Sequence, residues 1–189
     1  NTEPQESQFE MLKKFELTKD DFRQLANYSE EKKAVFLSSA FDKDSVDLLN
    51  EIGVKAFKIA SGEITNLPLI KYIAKKGKPI ILSTGMSNLK EIEEALNLIK
   101  NEGIRDITLL HCVTDYPAKI EDINLKAMQT LREIFRVPVG FSDHTIGITA
   151  SIAAVACGAC MIEKHFTLDK NLSGPDHKAS LEPDELKKM

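Results

Sequence analysis

Six short apolar runs recur along the chain at intervals that fit one strand, one helix and two short loops. They are "AVFLSS" (34–39), "AFKIAS" (56–61), "PIILSTG" (79–85), "ITLLHC" (107–112), "VPVGFS" (137–142) and "CMIEKHF" (160–166), and their starts lie 22 to 30 residues apart. The runs are nearly continuous in apolar residues, as parallel strands covered on both faces require. Amphipathic segments fill the gaps. "DKDSVDLLNEIG" opens on Asp42 and closes on Gly53, and "SNLKEIEEALNLIKNEG" opens on Ser87 and closes on Gly103. Each has a capping residue before the periodic run and a glycine after it. "LTKDDFRQLANYSEEKK" carries Thr18 and Asp21 at near capping-box spacing, and "EITNLPLIKYIAKKGK" reads as a shorter helix closed by Gly77.

Repeated βα units of this length leave two architectures, an open doubly wound sheet or a (β/α)₈ TIM barrel. A dinucleotide-binding sheet should show G-x-G-x-x-G after one strand, and this sequence has none. Instead most strands end in polar, reactive residues: Ser38-Ser39, Ser61-Gly62-Glu63, Ser83-Thr84, His111, Ser142-Asp143-His144 and His165. A barrel gathers its site from the C-terminal ends of many strands at once, so the distribution favours α/β of the barrel kind. A complete barrel takes about 250 residues. Six of eight units are visible in 189 residues, and the leading helix "ESQFEMLKKF" places the two missing strands upstream. With no linker or low-complexity stretch, residues 1–189 read as one partial TIM-barrel catalytic domain.

Composition narrows the partners. The chain is 42% hydrophobic and 29% charged with a net charge of -4, which suits a real core and argues against nucleic acid or an anionic membrane. No apolar run approaches the roughly 20 residues that span a bilayer. The opening "NTEPQESQFE" has no signal-peptide core and does not start with Met, so a cytoplasmic setting and a longer parent chain are expected. Three cysteines, Cys112, Cys157 and Cys160, form no disulfide framework. "CGAC" at 157–160 matches C-x-x-C but sits in an apolar run, so small core residues are expected there rather than zinc or redox chemistry.

The strand ends suggest chemistry. Neighbouring strands lie about 4.8 Å apart, so His144 and His165, at the ends of consecutive strands, can both reach one ion. Alternation puts Ser142 with His144 on one side of their strand, and Glu163 with His165 on one side of theirs. The plain alternative is two unrelated loop residues. Lys58 interrupts an apolar run. Facing inward, it would place a cation near Ser61 and Glu63; otherwise it makes a strand-end ion pair, with Glu63 as the partner. Hydroxyls from Ser39, Ser61, Ser83 and Ser142 beside a lysine suit a phosphate or carboxylate. In "SGPDHKASLEPDEL" (173–186), Asp176 and His177 either reach a ligand at the barrel mouth or belong to a solvated turn.

Taken together, "FKIASGEITNLPLI", "KPIILSTGM", "LLHCVTDYP", "VGFSDHTIG", "EKHFT" and "GPDHKASLEPDEL" resemble the sialic acid synthase family, in order and from about residue 5 to the end. The resemblance implies a (β/α)₈ barrel that condenses phosphoenolpyruvate with an N-acetylated hexosamine such as N-acetylmannosamine and releases phosphate by C–O cleavage. It implies a divalent metal on His144 and His165: manganese, with magnesium or cobalt as alternatives. It implies phosphoenolpyruvate on Lys58, Ser61, Ser83 and Ser142, with Ser39 where the family often has Thr. It places Glu63, Tyr116 and Asp176 around the sugar, with Thr114 where some members carry Asn, and gives Lys58 and Glu63 the catalytic roles. A homodimer, and a C-terminal antifreeze-like domain beyond Met189, follow from the same resemblance. Two other readings stand beside it: a metal-dependent aldolase or lyase barrel acting on a phosphorylated sugar, and a non-catalytic remnant that binds substrate.

Overall fold

The computed structural model describes residues 7–189. Residues 1–6, which open the stretch read for a leader and include the first residue of the leading-helix segment, lie outside the described residues. The elements run α1 (Gln8–Lys14), α2 (Lys19–Glu31), α3 (Lys43–Ile52), β1 (Phe57–Ile59), α4 (Leu67–Ala74), β2 (Ile80–Ser83), α5 (Leu89–Asn101), β3 (Ile107–Cys112), α6 (Lys126–Phe135), β4 (Val139–Asp143), α7 (Thr149–Ala156), β5 (Ile162–Lys164) and α8 (Pro183–Lys188).

Helix ends follow local chemistry. Thr18 and Asp21 form a reciprocal capping box at the start of α2. Asp42 caps α3, and Gly53 ends it at φ 87°, a conformation that a side chain would strain. The start of α5 differs from expectation by one residue. Asn88, not Ser87, is the cap, because its amide oxygen accepts from the N–H groups of Lys90 and Glu91. The Ser87 hydroxyl donates back to the Gly85 carbonyl instead.

Among the described residues all strand pairs are parallel, and the order is β1-β2-β3-β4-β5. A doubly wound sheet reverses its order at a switch point; this sheet proceeds in chain order, as a barrel wall does. The wall is also curled. In a flat sheet β1 and β5 would lie about 19 Å apart, beyond the reach of any two side chains. Yet Lys58 Nζ on β1 is 3.4 Å from Glu163 Oε2 on β5. The strands therefore bend into a half-barrel that brings its two edges toward one bore.

Two expectations fail here. The run 34–39 is not a full strand: only Ser39 pairs, through a single parallel bridge to Lys58. Val35 is 67% exposed and Leu37 38% exposed, so the run lacks the burial that would hold a strand. Nor are Cys157 and Cys160 core residues; both are exposed. The last helical residue buried by α7 is Ala154, and the turn beyond it carries the "CGAC" thiols to the outer surface. The run 160–166 also contracts to the three residues of β5.

Alternation divides the sheet's faces. Phe57 and Ile59, Ile80 and Leu82, Ile107 and Leu109, and Val139 and Phe141 turn to the helices and are at most 1% exposed. Each stabilises the fold by about 1.5–3 kcal/mol. The intervening residues, Lys58, Ser83, Cys112 and Ser142 among them, face the bore. One polar pair lies on the helix side. Asp143 and Lys164 stand in register on β4 and β5, with Oδ2 and Nζ 3.0 Å apart and side chains 0% and 4% exposed. Burial alone would raise the Asp143 pKa, but hydrogen bonds from Ser151, Thr145 and Lys164 hold it below the usual carboxylate value.

Breaking such a pair leaves a buried charge, so Asp143→Ala should cost about 3–5 kcal/mol near neutral pH, read from urea unfolding midpoints. Because the folded-state pKa is depressed, this contribution is complete above the ordinary value of 3.8 and is lost as pH falls through the lower folded value. The gap between wild type and variant should narrow over that range; a gap independent of pH would remove the ionised carboxylate from the account.

Candidate active site

The site grows from strand register. Ser39 pairs beside Lys58, Cys112 beside Ser142, and Ser142 beside Glu163. One step past the Asp143–Lys164 pair come His144 and His165, whose alternation turns them into the bore. Their ring centroids are 5.5 Å apart at an interplanar angle of 75°. A metal bound at about 2.1 Å from a ring nitrogen lies roughly 3.2 Å from that ring's centre, so one ion can serve both rings. The His144 Nδ1 lies 2.5 Å from the Val113 carbonyl. A carbonyl only accepts, so Nδ1 carries the proton and Nε2 keeps its lone pair. The Ser142 hydroxyl is 3.3 Å from that Nε2, but its proton goes to Glu163 Oε1 at 2.6 Å. Burial, together with the neighbouring His165, lowers the His144 pKa and keeps the imidazole neutral, the form that ligates. The donor set thus fits a divalent ion. It supplies two ligands: no group of three or more His, Cys, Asp or Glu among the described residues is placed to hold one.

Tyr116 closes one side. Its ring lies 4.1 Å from the His144 ring and 5.4 Å from the His165 ring. Burial, with negative charge at Asp176 and Glu163, pushes its phenol up to about 12, so it stays protonated at neutral pH. Asp176, in the loop after β5, brings Oδ2 to 3.8 Å from His165 Nδ1.

The bore also carries a cation and several hydroxyls. Lys58 is drawn inward, its side chain 12% exposed. Its carboxylate partner is Glu163 and not Glu63, whose carboxylate accepts from Asn66 on the rim at 2.7 Å. Ser61 Oγ accepts from the Gly85 N–H at 2.9 Å and lies 3.1 Å from Cys112 Sγ. Ser83 is 3% exposed, and its hydroxyl has no partner. A buried hydroxyl without a partner costs about 1–3 kcal/mol, and a ligand's oxygen in the bore would satisfy it. Backbone crowding shapes the same wall. A Cβ on Gly85 would stand 2.7 Å from Thr114 Cγ2, 2.8 Å from Cys112 Sγ and 2.9 Å from Ser61 Oγ.

Sequence reasoning gave no role to two of these residues. Glu163 bridges Ser142 and Lys58 at the centre of the site; its place two residues before His165 was the available signal. Gly85 carried none beyond the Ser-Thr-Gly run. Conversely, His111 is not in the bore. Its Nε2 lies 2.7 Å from the Ile123 carbonyl, on the helix side. His177 likewise turns away, to the Thr167 hydroxyl at 2.7 Å.

Comparison with known proteins adds a family to this geometry. The NeuB family profile matches residues 1–189. A protein of Campylobacter jejuni named N,N'-diacetyllegionaminic acid synthase is 61% identical over 186 residues, which are 97% of this chain and 56% of that protein. The crystal structure of an N-acetylneuraminic acid synthetase from Leptospira borgpetersenii, in complex with citrate, superposes with a TM-score of 0.91 at 42% identity, covering 94% of this chain and 62% of that one. A truncated 3-deoxy-D-arabino-heptulosonate 7-phosphate synthase from Thermotoga maritima, 20% identical, shares the fold at a TM-score of 0.81 over 92% of this chain and 69% of its own. The chain spans about half the length of the curated relatives it matches.

Gly85→Ala should destabilise the protein by about 1–3 kcal/mol through overpacking of this wall, seen as a lower Tm. An unchanged Tm would show that Thr114, Cys112 and Ser61 can move aside.

Proposed function

The chain belongs to the NeuB family, the sialic acid synthases, and from that membership we propose that the protein condenses phosphoenolpyruvate with an N-acetylated hexosamine to form a nonulosonate. One observation carries the reading: Lys58 and the hydroxyls of Ser61, Ser83 and Ser142, one of them buried without a partner, line the same bore as the His144–His165 pair. In this reading the five-stranded half-barrel, with the Ser39 bridge at its edge, is part of a complete eight-stave barrel. The remaining staves, a homodimer and a cytoplasmic setting are part of the proposal.

Phosphoenolpyruvate brings a phosphate and a carboxylate, and anions of this kind call for a fixed cation and converging O–H donors. Lys58 supplies the cation. Glu163 holds its ammonium group in place and accepts the Ser142 proton until the ligand arrives. Ser83 and Ser61 face the ligand with their hydroxyls. His144 and His165 would hold the divalent ion, manganese first and magnesium or cobalt next, which when bound supplies Lewis acidity toward the sugar's aldehyde oxygen. Tyr116 and Asp176, beside the two histidines, confine the sugar, with Thr114 at its margin, and Ser39, bridged to Lys58, belongs to the phosphoenolpyruvate side. The balance is simple. The substrate's C3 forms a bond to the aldehyde carbon, water adds at C2, and the C2–O bond breaks to release inorganic phosphate. Glu63 is assigned as the base or as a sugar-orienting group at the rim. Holding both substrates in one bore makes the bond-forming step effectively unimolecular.

The acceptor follows from carbon counting. Three carbons from phosphoenolpyruvate and six from a hexosamine make the nine-carbon skeleton. The 61% identity to a protein named for a diacetylated product favours an acceptor with two acetamido groups over N-acetylmannosamine.

The test is incubation of the full protein with phosphoenolpyruvate, manganese and each acceptor in turn, following phosphate and nonulosonate together. Turnover should require phosphoenolpyruvate; product formed without it would instead support an aldolase. His144→Ala and His165→Ala should each lower turnover on the order of 10³-fold, the several kcal/mol that the ion contributes. Unchanged turnover in either variant removes that histidine from the mechanism. Lys58→Met should raise the KM for phosphoenolpyruvate far more than the KM for the sugar. Equal changes in both would take Lys58 out of the anion site.

A further inference from the structure

Each histidine of the pair is preceded by a charged residue, and those two residues form the buried ion pair on the opposite face of the sheet. Asp143 does more than face Lys164. Its Oδ1 accepts from both the N–H and the hydroxyl of Thr145, each at 2.8 Å, so its carboxylate grips the backbone beyond His144. Its Oδ2 accepts from Ser151 of α7 at 2.6 Å, tying the end of β4 to the covering helix. Lys164 Nζ donates to the Thr145 carbonyl at 2.5 Å. The chain is thus held on both sides of His144, at residue 143 by α7 and at residue 145 by β5. On β5, the outward direction of Lys164 obliges its neighbours Glu163 and His165 to point inward, because successive strand side chains alternate. A slip of one residue between the strands would send those side chains to the wrong face.

We propose that the Asp143–Lys164 pair is a positioning device that sets the spacing of His144 and His165, and so the affinity for a divalent ion, from the far side of the sheet. The inference rests on the reading of the two histidines as the holders of that ion. Neither Asp143 nor Lys164 touches the bore; they act through the backbone that carries the rings.

The experiment measures Mn²⁺ binding to the metal-free full protein by electron paramagnetic resonance, and the visible spectrum of the Co²⁺-loaded form. Five proteins are compared: wild type, Lys164→Met, the double variant Asp143→Leu/Lys164→Met, His144→Ala and Ile99→Ala. The double variant removes both charges, so it leaves no unpaired buried ion and keeps the fold testable. Ile99, 0% exposed on α5, serves as a destabilised control remote from the pair. We expect both Lys164 variants to bind Mn²⁺ roughly 10–100-fold more weakly, the usual effect of losing support behind a ligand, and to shift the Co²⁺ spectrum. Ile99→Ala should bind as wild type does despite its lower stability. A folded double variant with wild-type affinity and spectrum overturns the proposal, as does equal weakening in Ile99→Ala. If wild type binds no Mn²⁺, or His144→Ala binds it as well as wild type, the metal reading itself fails and the proposal goes with it.

Discussion

Lys58 and Glu163 stand on the two outer strands of a five-stranded sheet, yet their charged groups meet at 3.4 Å. Nothing but curvature allows this. The same curvature turns a row of strand ends into a ring. It faces the Ser39–Lys58 edge toward the Glu163–His165 edge and gives the hydroxyls between them a common interior. Flattened, the sheet would keep its strands, its helices and its apolar packing, but the polar residues would form a line rather than a site.

The two faces of the wall carry opposite burdens. The helix side supplies the stability, through strand residues at most 1% exposed. The bore side holds groups that cost stability: a partly buried lysine, a neutral buried imidazole and a serine hydroxyl with no partner. Native proteins leave few buried polar atoms unsatisfied, so the partnerless Ser83 hydroxyl, on a strand face shared with Lys58, points to a ligand rather than to packing. The Asp143–Lys164 pair is the exception to this division, since it places charge on the apolar side. Its hydrogen bonds to Ser151 and to both ends of Thr145 satisfy the groups that burial would otherwise penalise.

Much of this was legible beforehand where the signal is local. The capping pair Thr18–Asp21 and the stop at Gly53 are one-turn chemistry, and the structure has both. The inward direction of His144 and His165 follows from alternation and from strand ends that fall in step. Legibility failed where a residue's fate depends on what covers it. Residues 34–39 have a strand's composition but not its burial. "CGAC" has the composition of a core but sits on a turn at the surface. His111 and Glu163 show the limit most clearly. Both lie at strand ends, and only register decides that the first turns to the Ile123 carbonyl while the second joins Lys58 and Ser142.

What the amino-acid sequence determined by itself was the repeat, the parallel strands, most helix limits and the types of group at each strand's end. These rest on periodicity and nearest-neighbour hydrogen bonding, which act within a few residues. The tertiary structure alone decided the partners: Glu163 rather than Glu63 for Lys58, a free Nε2 on His144, a partnerless Ser83, and a glycine at position 85 with three side-chain atoms within 3 Å of its missing Cβ. Those contacts join residues as many as 105 positions apart in the chain. Their existence depends on how far the sheet curls, a property of all its strands together that no local stretch encodes.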